Sequence, residues 1–166
     1  MSVGLLRVLV QSQTISNQQA EHYNSLLQSG KEILPKLFSD GIISPKALGE
    51  LVARVFSYPL LDLRYYPRNN VVSDILTEEQ MVQNRCIPIF KRGRKVYFAV
   101  SDPTQIQKFQ KIAFASGLNV DLVVVPDDQL SSLLEWLGQR STTILKEIND
   151  EHEATQQSQS LYLDNE

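Results

Sequence analysis

The junction Phe98–Gln105, "FAVSDPTQ", sets a carboxylate, Asp102, between an apolar run and an amphipathic one. That is where α/β proteins place the groups that meet a bound nucleotide. The supporting chemistry is missing. The junction has no glycine nest and no Gly-Lys-Ser/Thr to cradle a phosphate, and an Asp immediately before Pro103 reads as the cap of a helix rather than as a catalytic carboxylate. His22, His152 and Cys86 lack metal-ligand spacing. Cys86 has no nearby His to activate it and enters an apolar strand, so it reads as a small buried side chain. The run Lys91–Lys95, "KRGRK", is the densest positive patch, yet it falls at a hairpin tip where charges face water. "LRYYPRNN", Leu63–Asn70, gathers Arg64, Tyr65, Tyr66 and Arg68 in an irregular segment with the composition of a protein interface. These are the candidate partner-binding residues, with internal packing as the competing role of Tyr65 or Tyr66. No nucleophile with its base, metal cluster or phosphate loop can be assembled, so the chain is expected to be non-catalytic and to hold no cofactor.

The elements that position these residues fall into two parts. Laying Leu5–Gln28, "LLRVLVQSQTISNQQAEHYNSLLQ", over Ile33–Phe56, "ILPKLFSDGIISPKALGELVARVF", aligns Leu5 with Ile33, Leu9 with Leu37 and Ile15-Ser16 with Ile43-Ser44. This is an internal repeat. Each copy reads as a short apolar helix, a polar turn and a serine that caps a second helix: Ser16 with Gln19 three residues on, Ser44 with Pro45 at the first helical position. From Tyr58 the pattern changes. "PLLDL" predicts a short strand, Thr77 with Gln80 caps a helix to about Arg85, and "CIPIF" and "KVYFAV" predict strands joined by the "KRGR" turn. A helix from Asp102 to about Gly117 then crosses over to a strand at Val120–Val125, which should run parallel to Val96–Val100. A last helix opens at Asp127 or Asp128 with Leu130, Leu133, Leu134 and Leu137 on one face. Trp136 reads as packing, with room for a contact role.

The expected fold is therefore α+β: a small all-α repeat subdomain over residues 1–57, then a compact α/β subdomain with a mixed sheet over 58–140. Residues 141–166, acidic and rich in Gln and Ser, read as a linker or disordered tail. The irregular sequence between Ser57 and Asn70 predicts loose coupling of the two parts.

Charge and apolar content exclude several classes. The 166 residues are 42% apolar with a net charge of -3, which gives no electrostatic footprint for nucleic acid. Met1–Val10 is short, carries Arg7 and does not resemble a secretion signal. No apolar run approaches the roughly 20 residues that span a bilayer. A cytoplasmic chain without direct membrane insertion is expected.

The helical repeat followed by "LLDL", "LTEEQM", "IPIF", "VYFAVSDPTQ", "GLNVDLVVVPDDQL" and "LLEWLG" resembles the N-terminal domain of type IV pilus assembly ATPases of the PilB type, a domain shared with type II secretion ATPases and often called MshEN. The resemblance implies a homohexameric motor peripheral to the inner membrane, docked on inner-membrane or cytoplasmic pilus assembly proteins. ATP and magnesium would belong to a C-terminal domain that this chain, which holds no Walker motif, does not contain. It also implies a second role. Relatives bind cyclic di-GMP through two tandem motifs that begin Arg-Leu-Gly, where Arg pairs with phosphate, Gly admits the backbone and Leu covers guanine. Here Gly4-Leu5-Leu6 and Glu32-Ile33-Leu34 stand at those triplets, so both arginines and both glycines are absent. The later glycine is Gln13 in the first copy and Gly41 in the second. What survives of the motif is Leu5, Ile33, Gly41 and Leu48, with Arg7 one turn past the missing arginine. The reading that follows is a docking and regulatory domain, with a cyclic di-GMP receptor that gates the motor as the alternative.

Overall fold

A computed structural model describes the backbone of residues 3–163 and the side chains of residues 4–150. The repeat folds as two helical pairs, α1 (Val3–Gln11) with α2 (Asn17–Gln28), and α3 (Leu34–Ser39) with α4 (Pro45–Phe56). Ser16 and Gln19 form the reciprocal capping box, and the Ser44 side chain accepts the Ala47 N–H with Pro45 in the first turn. The two interhelical turns are the same structure. Gln13 and Gly41 both take left-handed φ, 58° and 69°. The N–H of the residue after each donates five residues back, Thr14 to Leu9 and Ile42 to Leu37, as in a Schellman ending. Leu5, Leu9, Ile33, Leu37, Leu48 and Val52 fill the space between the pairs. The buried Tyr23 hydroxyl donates to Asp40 at 2.7 Å, tying the two copies together.

The second part contains α5 (Glu78–Asn84), β1 (Cys86–Arg92), β2 (Lys95–Val100), α6 (Ile106–Ala115), β3 (Asn119–Val124) and α7 (Asp127–Leu163). The sheet order is β1-β2-β3, antiparallel then parallel, with Cys86 opposite Val100 and Lys95 opposite Asn119. The mixed sheet and parallel crossover are as expected. Pro88, which has no N–H to donate, is tolerated because β1 is an edge strand with a bulge at that point. Central β2 buries Val96, Phe98, Ala99 and Val100. The α6 ring of Phe109 meets Phe98 edge-on, with centroids 6.4 Å apart. Leu130, Leu133, Leu134 and Leu137 of α7 complete this core.

Three expectations are corrected. Pro59–Leu63 is not a full strand: only Leu60 bridges to Val124, in parallel, before Asp62 accepts the Arg64 N–H and turns the chain into a 3-10 turn, Leu63–Tyr65. Residues 141–163 are helical, a continuation of α7, rather than disordered; the remaining residues of the expected linker or disordered tail lie outside those described. The two parts are also in direct contact. Val124 belongs to the helical core, and Gly49 of α4 lies so near Leu60 and Pro126 that a Cβ there would stand 3.5–3.7 Å from them.

Candidate functional site

The β2 C-terminus delivers Ser101 and Asp102 to a cleft of about 500 Å³ between the start of the second helical copy and the α/β half. Open sheets place ligands outside the carboxyl ends of their strands for this topological reason. Lys31, Glu32 and Leu34 form one wall, and Asn84, Arg85, Gln105 and Lys108 the other. Below it lies a polar network. Arg85, in the left-handed C-cap of α5, donates to Asp127 at 2.7 Å and to Ser131 at 2.9 Å, and the Ser101 hydroxyl also donates to Asp127 at 2.7 Å. Asp102 caps the Pro103–Gln105 turn through Oδ1, which accepts the Thr104 N–H at 3.0 Å and its hydroxyl. Its other oxygen, Oδ2, is buried without a hydrogen-bond partner among the described residues. A buried polar atom left in that condition costs free energy unless a ligand or water meets it.

The expected motif positions do not converge on this cleft. Leu5, Ile33 and Leu48 are core residues of the helical half, Arg7 is exposed on α1, and Gly41 serves its turn. Only Glu32 and Leu34, on either side of Ile33, reach the cleft. Cys86 is buried and its thiol is pushed up to about 12 by burial, which leaves it inert. In the basic run, Lys91 pairs with Asp74 at 3.7 Å and Lys95 with Asp121 at 3.0 Å.

The expected partner-binding residues separate. Arg64 forks onto Asp62, its Nη2 2.6 Å from Oδ2, and holds that carboxyl down at about 2. Tyr65 is 83% exposed. Tyr66 turns inward and donates to the Ile89 carbonyl at 2.7 Å, so it packs on the α/β core instead of presenting an anchor. Arg68 lies over the Trp136 ring at 5.5 Å from its centroid, and Arg140 lies 5.7 Å from the same centroid. Sequence reasoning missed Arg85, Ser101, Asp127 and Arg140. The Arg-Cys step into an apolar strand and the arginine one turn beyond Trp136 were the only local signals.

A helical repeat packed on a small mixed sheet, with a polar cleft at the strand ends, is an α+β architecture that fits an MshEN domain. The MshEN domain profile matches residues 56–144, and the chain belongs to that family. It is 29% identical over 148 residues to the type IV pilus assembly ATPase PilB of Pseudomonas aeruginosa, covering 89% of this chain and 26% of that protein. It is 31% identical over 132 residues to PilB of Acinetobacter baylyi, covering 79% and 23%. The chain thus spans about a quarter of the length of these curated relatives. Two solved structures share the fold. A structure of MshE with cdg superposes with a TM-score of 0.58 at 23% identity, covering 80% of this chain and 97% of that one. The N-terminal domain of XpsE superposes with a TM-score of 0.60 at 20% identity, covering 81% and 95%. Among the described residues no helix is long and apolar enough to cross a membrane.

Proposed function

We propose that this chain is the non-catalytic docking and regulatory front end of a type IV pilus assembly ATPase. In this reading it links a hexameric motor, assembled through a further ATPase domain that binds ATP and magnesium, to cytoplasmic or inner-membrane pilus proteins. The observation that carries the reading is the likeness to PilB along 89% of the chain within only 26% of that protein's length, in a sequence without a Walker motif. The exposed Arg64, Tyr65 and Arg68 support a docking role, since arginine and tyrosine carry disproportionate interface energy. Replacing Arg64 and Arg68 by Ala should change the stability of the chain by less than about 1 kcal/mol, because both are exposed. In the full-length protein the same change should weaken co-purification with pilus inner-membrane components. Unchanged association and normal piliation would remove this surface from the docking reading.

A second reading, a cyclic di-GMP receptor that gates the motor, is favoured by the cleft and by the likeness to MshE, solved with cdg. Lys31 and Lys108 stand in the cleft without an ion pair among the described residues. Against it, Glu32 sets a negative charge beside any dianion, and neither triplet supplies an arginine. Calorimetric titration with cyclic di-GMP separates the readings. Saturable micromolar binding lost in Lys108→Ala would establish the receptor, and the absence of heat at millimolar ligand would exclude it.

A further inference from the structure

Trp136 holds two charges that the fold does not require. Arg68 comes from the turn Arg68–Asn70, Arg140 from the next turn of α7, and each sets its guanidinium within cation–π reach of the one indole. Exposed contacts of this kind stabilise a fold only weakly, and gathering two like charges on one ring offsets part of that. Stability therefore explains little of the arrangement.

The geometry leaves the arginines prepared for another partner. An indole takes the flat face of a guanidinium and leaves its edge N–H groups, the fork that matches a carboxylate, unspent. Arg64 and Arg85 have their forks filled by Asp62 and Asp127. Arg68 and Arg140 are exposed and make no ion pair among the described residues. We infer that Arg68, Trp136 and Arg140 form a docking site for an acidic, extended peptide segment of a partner protein. The carboxylates interspersed among the arginines select this occupant over an anionic membrane. Asp128 lines the same cavity as Arg68, of about 280 Å³, Asp62 flanks Arg64, and exposed Glu135 adjoins Trp136. A flat anionic surface would press on these carboxylates, whereas a single extended chain can pass between them and set its own carboxylates on the two arginines. The inference deepens the docking reading and rests on it for the partner's identity, but the chemistry of the contact is testable on its own.

Trp136 is the only tryptophan, so its emission reports the site directly. Titration with hexaglutamate should give a saturable change that weakens at high salt, with no change from hexaglutamine. In an Arg68→Gln/Arg140→Gln variant with an unaltered thermal midpoint, affinity should fall at least tenfold, and Arg68→Lys/Arg140→Lys should recover only part of it. An equal response to hexaglutamine, no response to hexaglutamate, or full affinity in the Gln variant overturns the proposal. So does a response confined to phosphatidylglycerol vesicles, which would assign the surface to a membrane. If the Gln variant is misfolded, the hexaglutamate and hexaglutamine comparison on the unaltered protein decides. Failure of the peptide with persistent loss of pilus partners in the Arg64/Arg68 variant would leave docking standing and refute the acidic chemistry.

Discussion

Gln13 and Gly41 occupy the same turn in the two helical copies, and only one is a glycine. A left-handed φ costs a residue with a Cβ about 1–2 kcal/mol, offset partly by the larger freedom that glycine loses on folding. Gln13→Gly should therefore stabilise the protein by about 0.5–1 kcal/mol, and Gly41→Ala should destabilise it by a similar amount, because a Cβ at Gly41 would meet open space and only the backbone strain remains. Paired urea unfolding curves check both signs. Asp62 gives a pH dependence at the same scale. Its folded value is held at about 2 by the hydrogen-bonded fork of Arg64, below the ordinary carboxylate value. The stabilisation is thus present above the unfolded value near pH 4 and lost as pH falls toward 2. In Asp62→Asn, the decline in unfolding midpoint across that window should be shallower than in the parent, and an unchanged decline would show that Arg64 does not stabilise the folded chain through this carboxylate.

Among the elements, α7 departs most from its sequence pattern. The apolar period stops after Leu137, and without a periodic face residues 141–163 read as a linker. They are helical because the nucleus already exists in the packed segment from Asp127, and propagation through Lys, Glu, Gln and Ala then costs little. Ile144, Leu145 and Ile148 remain exposed on that extension, so it contributes little to the core. Truncation after Arg140 should lower helical ellipticity while leaving the free energy of unfolding within about 1 kcal/mol. A larger loss would mean that the extension packs on the body in solution. By contrast, the caps at Ser16, Ser44 and Thr77 were legible from a few adjacent residues, since a cap is a local hydrogen bond.

For the whole molecule the decisive contact is α4 on the end of β3. At Gly49 an added Cβ would just touch Leu60 and Pro126 at ordinary van der Waals distance, leaving no room for a larger side chain. Gly49→Ala should be accepted and stabilise the helix by up to about 1 kcal/mol, whereas Gly49→Leu should overpack the junction and cost about 1–3 kcal/mol. Differential scanning calorimetry checks this: a Leu variant as stable as the parent would mean that the two halves are joined as loosely as the irregular Ser57–Asn70 segment suggested.

The helical repeat, its caps, the parallel pairing of β2 with β3 and the buried leucine face of α7 were legible along the chain. Each is encoded by hydrogen bonds a few residues long or by a periodicity that marks one face as apolar. Periodicity says which face is buried but not what it meets. Packing settles that Leu5 and Ile33 serve the core, that Tyr66 turns inward, that Lys31 and Lys108 share a cleft with Asp102, and that Arg68 and Arg140 meet on one indole. These contacts join residues distant in the chain, and they arise when whole elements pack and bring together side chains whose own neighbours carry no trace of the encounter.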